Sequence, residues 1–116
     1  MLNLQWVTRS TKGEWLRFQN VNLADITSNG VYIIWHGGNP SRVVYVGQGD
    51  IASRLQAHRR RTDINAYAKN GTLYVTWASV PANQRDGVER YLAEKWSPLV
   101  GEAHPVAAQI VVNAPW

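Results

Sequence analysis

Two short runs of β-branched and aromatic residues, separated by a turn, constrain the fold of this chain more than any other feature. Residues 31–35 read Val-Tyr-Ile-Ile-Trp and residues 43–46 read Val-Val-Tyr-Val. Both compositions are typical of β-strands, and the intervening residues 37–40, Gly-Gly-Asn-Pro, carry a dense turn signal. Strands joined by so short a glycine-rich connection pair antiparallel. The sequence therefore predicts a β-hairpin at this point of the chain.

Three further elements are expected after the hairpin, in the order helix, strand, helix. Asp50 is a good N-cap for a helix over about residues 51–61. The alternating run at residues 72–77 predicts a strand. A second helix is expected over about residues 82–96 and ends before Pro98. This order favours a small α/β (α+β) domain with a largely antiparallel sheet.

The two ends of the chain carry weaker patterns than its centre. Residues 1–28 mix aromatic and polar side chains and fit short strands, or a strand with a turn of helix, and residues 25–29 are expected to form a loop. Residues 106–112 fit either an added strand or an extended cover. With 116 residues in total, the chain is expected to form a single domain over residues 1–116, because it is too short for two independent cores.

Composition excludes several classes of protein. The chain contains no cysteine, so disulfides, zinc knuckles, iron–sulfur clusters and a thiol nucleophile are all excluded. No apolar run reaches the roughly 18 residues of a membrane helix, and residues 1–6 do not resemble a secretory signal. A cytoplasmic protein without a membrane partner is the expectation. Twelve Lys and Arg against eight Asp and Glu give a net charge of +4, which favours a polyanionic partner.

Glu89 is the first candidate for a chemical role. Leu92 and Trp96 follow it at helical spacing, so the carboxylate shares a face with apolar side chains. A carboxylate directed toward an apolar surface needs a partner. Spacing alone leaves two kinds of partner open. One is an arginine, Arg54 or Arg85, in a salt bridge, and the other is a divalent metal ion, which prefers oxygen ligands.

A basic stripe on the first predicted helix is the second candidate. Arg54, His58 and Arg61 follow one another at one-turn spacing, and Arg59 and Arg60 lie beside them. One interpretation is a solvated face near the helix C-terminus, where basic residues suit the helix dipole. The other is a phosphate clamp, in which arginine offers a planar fork and histidine a titratable group.

A glycine motif after the second strand has a competing interpretation. Residues 47–52, Gly-Gln-Gly-Asp-Ile-Ala, fit the dinucleotide-binding pattern G-x-G-x-x-A between a strand and a helix. That motif functions between parallel strands, whereas the preceding strand here is part of a hairpin. A nucleotide-binding protein that uses Gly47-x-Gly49 is therefore kept as a minor alternative.

Four linked segments resemble one family, the GIY-YIG nucleases. The tripeptides Gly30-Val31-Tyr32 and Tyr45-Val46-Gly47 look like the two halves of its signature, each on one strand of the hairpin. Residues 47–58 resemble the segment that follows in that family, with an arginine and then a histidine one turn later. Glu89-x-x-Leu92, followed by Pro98, resembles its metal-binding glutamate helix. The resemblance covers residues 30–98, leaving extensions at residues 1–28 and 99–116.

The resemblance implies a central sheet of three strands flanked by helices, and the metal-dependent hydrolysis of DNA phosphodiester bonds. Glu89 would hold one divalent cation, Mg²⁺ or Mn²⁺. Tyr32 would activate or direct the attacking water with help from His58, Tyr45 would hydrogen-bond in the reaction centre, and Arg54 would steady the scissile phosphate. DNA is the implied partner, and RNA is not excluded. The residues expected to contact nucleic acid are Arg54, Arg59, Arg60, Arg61 and Gln48.

The chain departs from the family pattern at two places. Gln48 stands where the repair-nuclease branch has a lysine, and the asparagine that many members have shortly after the proline is missing after Pro98. Asn113 is a candidate to replace it. These departures support an alternative, a nucleic-acid-binding module with the same fold that does not cut. Because no second DNA-binding module is present, a dimer or a partner protein is expected to supply DNA specificity.

Other notable side chains have structural interpretations. The tryptophans Trp6, Trp15, Trp77 and Trp96 are expected in the core rather than as base-stacking platforms. Trp35 and His36, at the end of the hairpin, fit either role. His104 is expected to be a surface loop residue.

Overall fold

The sheet has three strands, β1 (Asn29–His36), β2 (Arg42–Asp50) and β3 (Leu73–Ser79), in the order β2-β1-β3. Both pairings are antiparallel, so the predicted hairpin and the largely antiparallel α+β architecture are confirmed. The computed structural model describes residues 1–8, 10, 12–101 and 104–116. Because β1 is the central strand, Tyr32 lies in the middle of the sheet and β2 forms one edge.

An irregularity in the hairpin register puts two consecutive side chains of β2 on the same face of the sheet. Ile34 lies opposite Tyr45, but Trp35 lies opposite Val43, so Val44 is an extra residue on β2. A bulge of this kind breaks the alternation of side chains between the two faces of a sheet. Val44 and Tyr45 consequently pack in the same core cluster, on the face that also carries Tyr32.

The first helix, α1 (Ile51–His58), covers that face of the sheet. Its N-cap is Asp50, whose carboxylate accepts a hydrogen bond from the Ser53 amide, as the sequence predicts. Ile51 and Leu55 are fully buried against the sheet.

The helix ends at His58, three residues before the expected residue 61, because the hydrogen bonds that follow are of the tighter 3-10 type. The amides of Arg60 and Arg61 bond to carbonyls only three residues back. The side-chain amide of Asn65 then donates to the carbonyls of Arg59 and Arg61, at 3.1 and 2.7 Å. Arg61 therefore lies beyond the helix end, and its predicted place on one helical stripe with Arg54 is wrong. The following residues form a short helix, α2 (Thr62–Asn65), and a 3-10 turn (Ala66–Lys69).

The second long helix, α3 (Ala82–Trp96), matches its predicted bounds and packs on the opposite face of the sheet. Val88 and Leu92 are fully buried there, against Val31 and Ile33 of the central strand. Ser97 ends the helix in the left-handed conformation, and its amide bonds to the Ala93 carbonyl. Layers of helix thus cover both faces of the sheet.

The two terminal segments hold one another and complete the core. Leu2 and Val112 form an isolated parallel bridge, which favours the extended-cover interpretation of the tail. The Asn113 side chain accepts from the Leu4 amide at 2.6 Å and donates to the Leu4 carbonyl at 3.1 Å. A 3-10 turn (Leu23–Asp25) lies at the start of the predicted loop. Among the described residues, the helices are all too short or too polar to cross a membrane.

Residues after Pro98 cover only part of the β2 edge. The amides of Leu99 and Val100 donate to the carbonyls of Val43 and Val44, at 3.1 and 2.8 Å. Beyond these pairs the edge borders a cleft. The position of this cleft on the sheet decides which side chains can meet in it.

Candidate functional site

A hydrogen-bonded tyrosine and histidine form the centre of the site. Tyr32, on the central strand, is fully buried, and its hydroxyl lies 2.6 Å from His58 Nε2. His58 is the last residue of α1 and is 5% exposed. The strand and the helix that packs on it thus bring together two residues that are 26 positions apart.

Tyr45 completes an aromatic cluster around this pair. Its ring lies nearly parallel to the Tyr32 ring, with centroids 6.1 Å apart and an interplanar angle of 12°. The His58 ring lies 4.5 Å from it, tilted by 52°. This arrangement follows from the pairing of Tyr45 with Ile34, which puts its ring on the face of the sheet that carries Tyr32 and packs against α1. The Arg61 guanidinium lies over the outer face of the Tyr45 ring, 5.3 Å from its centroid.

Burial keeps both members of the hydrogen-bonded pair neutral. It raises the pKa of the Tyr32 phenol well above its ordinary value of 10, and the neighbouring Tyr45 acts in the same direction. Burial also lowers the pKa of His58 from 6.5 to about 4, and the positive charges of Arg61 and Arg54 add to this. In the His58 tautomer whose Nε2 is unprotonated, the neutral phenol donates its proton to Nε2 and the hydrogen of the ring lies on the other ring nitrogen. That atom, Nδ1, is buried and has no hydrogen-bond partner within the described residues.

Gly47 gives the Tyr32 hydroxyl the space it occupies. The two residues lie opposite one another on β2 and β1. A Cβ atom on Gly47 would lie only 2.3 Å from the hydroxyl oxygen and 2.5 Å from the ring carbon that bears it. Gly47 also lines the cleft, so the phenol reaches the wall of the cleft through the position where a side chain is missing.

The cleft has a volume of about 410 Å³ and runs along the β2 edge. Arg54, exposed on α1, borders it from one face of the sheet, and Glu89, on α3, borders it from the other. The Arg54 Nε donates to the Gln48 carbonyl at 3.3 Å, which holds the side chain across the end of β2. An arginine and a carboxylate from opposite faces thus meet at one edge of the sheet.

Glu89 pairs with a residue that sequence reasoning assigned to the surface. Its Oε2 accepts a hydrogen bond from His104 Nδ1 at 3.0 Å. The Glu89 side chain is 10% exposed and that of His104 is 20% exposed. His104 lies in a loop at the cleft, as expected, but its side chain is half-buried and bonds to α3 instead of facing solvent freely. The one sequence signal was that His104 is the only titratable residue in the segment 104–112.

The two predicted salt-bridge partners of Glu89 have other contacts. Arg85 Nε donates to the Val80 carbonyl at 2.8 Å, and Arg54 Nε donates to Gln48. Within the described residues, Glu89 and His104 do not belong to a cluster of three or more His, Asp or Glu side chains that could hold a metal. A carboxylate beside an imidazole at an open cleft still fits one divalent cation that keeps most of its water ligands.

The remaining predicted contact residues are distributed over several environments. The Arg59 guanidinium donates to the carbonyls of Phe18 and Val21, and so ties α1 to the N-terminal segment. Arg61 forms an ion pair with Asp63 at 2.6 Å. Gln48 lines the cleft, where its amide donates to Asp86 of α3 at 2.7 Å. Arg60 is exposed at the end of α1.

Asn113 lies outside the site. Both polar atoms of its amide bond to the Leu4 backbone, and Asn113 does not line the cleft. His104, rather than Asn113, is the residue of the C-terminal segment that contacts Glu89. The expectation that Asn113 replaces the missing asparagine is therefore wrong.

The interpretation of Gly47-x-Gly49 as a nucleotide-binding loop meets a physical obstacle. The glycines end an antiparallel edge strand, and the Asp50 carboxylate binds the first turn of α1. A negative charge at that helix N-terminus would repel a pyrophosphate. The geometry thus disfavours this alternative.

The chain matches no model of a known protein family, no curated protein and no solved structure. What the site can do must therefore be argued from its own geometry.

Proposed function

We propose that this protein is a metal-dependent endonuclease of the GIY-YIG type that hydrolyses DNA phosphodiester bonds in the β2-edge cleft. The observation that carries the proposal is the convergence of three kinds of group at that cleft. Arg54 and Glu89 line it from opposite faces, and the Tyr32–His58 pair reaches its wall at Gly47. Phosphodiester hydrolysis requires these functions: charge stabilisation, a metal ligand and a route for a proton.

The Tyr32–His58 pair provides the proton route. Because the pKa of Tyr32 is raised, the phenol stays protonated and cannot act as a free phenolate. It can accept a proton from the attacking water only as it passes its own proton to His58 Nε2, 2.6 Å away. The water oxygen forms a bond to phosphorus, the bond to the leaving oxygen breaks, and solvent protonates that oxygen. The proton held by His58 then returns through Tyr32 to solvent, which the lowered pKa of His58 favours.

Arg54 and Glu89 handle the negative charge of the phosphate. Arg54 is exposed at the cleft, and its planar fork suits two phosphate oxygens. Glu89, with His104 beside it, would hold Mg²⁺ or Mn²⁺, which when bound supplies positive charge to the phosphate. The orientation of Glu89 depends on His104, because a hydrogen bond of 3.0 Å fixes one of its carboxylate oxygens.

A non-cleaving nucleic-acid-binding module is the second candidate. The observation in its favour is that Tyr32 is fully buried and that His58 resists protonation. Both properties increase the cost of moving a proton through the pair. In that case the basic residues at the cleft would bind the phosphate backbone without cutting it.

The first test compares plasmid nicking by the wild type and Glu89→Gln at low salt, with Mg²⁺, Mn²⁺ or EDTA. We expect metal-dependent nicking by the wild type and a loss of more than about 100-fold in the variant, because glutamine is a poor metal ligand. Glu94→Gln is the matched control, since Glu94 lies on the same helix in an exposed pair with Arg90. It should nick at the wild-type rate.

Binding measurements separate the two candidates. Glu89→Gln should still shift DNA in a gel, because the substitution removes no positive charge. If the wild type shifts DNA and never cuts it with either metal, the protein is the binding module. Equal nicking by Glu89→Gln and the wild type would contradict the metal assignment. A parallel series with an RNA of the same sequence tests whether RNA is also a substrate.

A further inference from the structure

A second pocket, of about 420 Å³, lies at the start of β2 and is lined mainly by tryptophan. Trp15, Trp35, Trp96 and Trp116 contribute their rings. The Trp35 centroid lies 5.1 Å from that of Trp15 and 5.0 Å from that of Trp116, and the Trp96 centroid lies 5.2 Å from that of Trp116. Four indoles from separate parts of the chain thus form one aromatic wall.

These indoles are not closed off like a core. Only Trp35 is buried, while Trp15 and Trp96 are half-buried and Trp116 is 53% exposed. Trp77, by contrast, lies within the core as predicted. Trp15 and Trp96 pack against the second core cluster, and part of each ring also lines the open pocket. Leaving large indole surfaces in contact with water is unfavourable, and such patches commonly mark binding sites.

The rim of the pocket selects the charge of its ligand. Arg42 and Ser41 line it, and both are exposed. The Lys95 ammonium lies 5.3 Å from the centroid of the Trp96 ring. An aromatic pocket for a quaternary ammonium would not have Arg42 in its lining and Lys95 over one of its rings, because these cations would repel the ligand. The ligand that fits is flat, aromatic and attached to a negative charge.

The pocket and the β2-edge cleft both lie between β2 and α3, and between them the Leu99 and Val100 amides bond to the β2 edge at Val43 and Val44. Val43 lines the pocket, and the cleft begins at Tyr45 on the same strand. On α3, Trp96 of the pocket follows Glu89 of the cleft by seven positions, on the same helical face. At about 1.5 Å per residue this is about 10 Å. That distance corresponds to about three nucleotides of a stacked strand at about 3.4 Å each.

We propose that the tryptophan pocket binds an unpaired nucleobase of the nucleic acid whose phosphate lies in the β2-edge cleft. The base stacks on the indoles, and Arg42 and Lys95 contact the adjoining phosphates. The inference rests on the proposed function and deepens it. The preferred substrate is a nucleic acid with single-stranded nucleotides within a few positions of the scissile bond, rather than an intact duplex.

The indole N–H signals in an NMR spectrum of the ¹⁵N-labelled protein test this directly. The six tryptophans provide internal controls. On addition of tetrathymidylate, the signals of Trp35, Trp96 and Trp116 should shift, and those of Trp6 and Trp77 should stay in place. A blunt duplex at the same phosphate concentration should shift them less. Unmoved pocket signals would overturn the proposal, as would an equal response to choline, which would indicate an ammonium site.

A variant series gives the affinity. Trp116→Leu should weaken tetrathymidylate binding about 10-fold, because stacking on one indole contributes about 1–3 kcal/mol. Trp6→Leu is the control and should bind with an unchanged Kd. Thermal unfolding of both variants checks that the fold is intact. An unchanged Kd for a folded Trp116→Leu variant would overturn the pocket assignment. If Trp116→Leu does not fold, Arg42→Gln takes its place, because this variant is also expected to weaken tetrathymidylate binding.

The result is separable from the nuclease proposal. Shifts of the pocket signals in a protein that never nicks DNA would support the base-binding pocket and contradict the nuclease. Metal-dependent nicking that is lost in Glu89→Gln, together with unmoved pocket signals, would support the nuclease and contradict the base-binding pocket.

Discussion

Gly47 is the residue at which a single methyl group should have the largest effect on the proposed site. An added Cβ would lie 2.3 Å from the Tyr32 hydroxyl oxygen, so the ring must move in Gly47→Ala. We expect a destabilisation of about 1–3 kcal/mol, as in other overpacked cores, and loss of the Tyr32–His58 hydrogen bond. Urea unfolding measures the first effect, and the NMR shifts of the His58 ring measure the second.

Gly101→Ala is the control for this experiment. An added methyl group there would have nothing closer than His104 Nε2 at 3.7 Å. It should unfold within about 0.5 kcal/mol of the wild type, as surface substitutions usually do. If Gly47→Ala behaved in the same way, the close approach of the phenol to β2 would be wrong.

His58 should make the stability of the protein depend on pH. Its pKa in the folded state, about 4, lies below the ordinary 6.5, so protons bind preferentially to the unfolded chain. The contribution of His58 is fully present above pH about 6.5 and is lost as the pH falls toward about 4. The loss is about 3 kcal/mol, since one pKa unit corresponds to about 1.4 kcal/mol.

The measurement is the free energy of unfolding from urea titrations between about pH 7 and pH 4. His58→Gln should have a flatter profile over that range, because glutamine does not titrate. His36 and His104 remain in both proteins, so the difference between the two profiles isolates His58. Parallel profiles would show that His58 is not the group that titrates.

Side-chain pairs were predictable from the sequence only where a motif linked them. Tyr32, Tyr45 and His58 were all expected in one centre, and the structure brings them together. The Glu89–His104 hydrogen bond was not expected, because it depends on the path of an irregular segment whose residues carry no helical or strand periodicity. The pairing of Asn113 with Leu4 was missed for the same reason, since it joins opposite ends of the chain.

At the scale of elements, the strand and helix identities followed from local patterns, whereas their fine geometry did not. The hairpin, β3 and α3 lie close to their predicted positions. The bulge at Val44 left no signature in its run of four β-forming residues, because all of them suit a strand on either face. The early end of α1 was missed because the side-chain amide that binds its last carbonyls comes from Asn65, in the next helix.

The cap of α1 gives a prediction at this scale. Asp50→Ala removes the oxygen that accepts from the Ser53 amide, and it should destabilise the protein by about 1 kcal/mol. Asp50→Ser is the control, because serine can make the same hydrogen bond. The unfolding midpoint in urea measures both variants. Equal losses in the two would show that the charge of Asp50, rather than its cap, stabilises the helix.

At the scale of the whole molecule, the net charge of +4 governs how the protein would meet nucleic acid. Arg59 and Arg61 are held by protein partners, and Arg54 is the arginine that lines the cleft, so few phosphate contacts are expected there and the affinity for DNA should be weak. It should also fall as the salt concentration rises, because binding releases counterions, and the slope should be set by the number of phosphate contacts. A dimer or a partner protein would be needed for tight, specific binding.

Fluorescence anisotropy with a labelled duplex between about 50 and 200 mM salt measures this dependence. Arg54→Gln should reduce the slope of log Kd against log salt by about one, because it removes one phosphate contact. Lys12→Gln, a substitution of an exposed residue that does not line the cleft, should leave the slope nearly unchanged. Equal slopes for the wild type and Arg54→Gln would place the phosphate contacts elsewhere on the surface.

The hydrogen bonds between the two chain ends have a consequence for local unfolding of the protein. Leu2 pairs with Val112, and the Leu4 backbone bonds to the Asn113 side-chain amide. Detachment of either end therefore breaks hydrogen bonds that the other end also uses. Ends that fray separately exchange their amide protons at separate rates. Because hydrogen bonds join the first segment to the last, we expect the two to open as one cooperative unit and the Leu2 and Leu4 amides to exchange at similar rates.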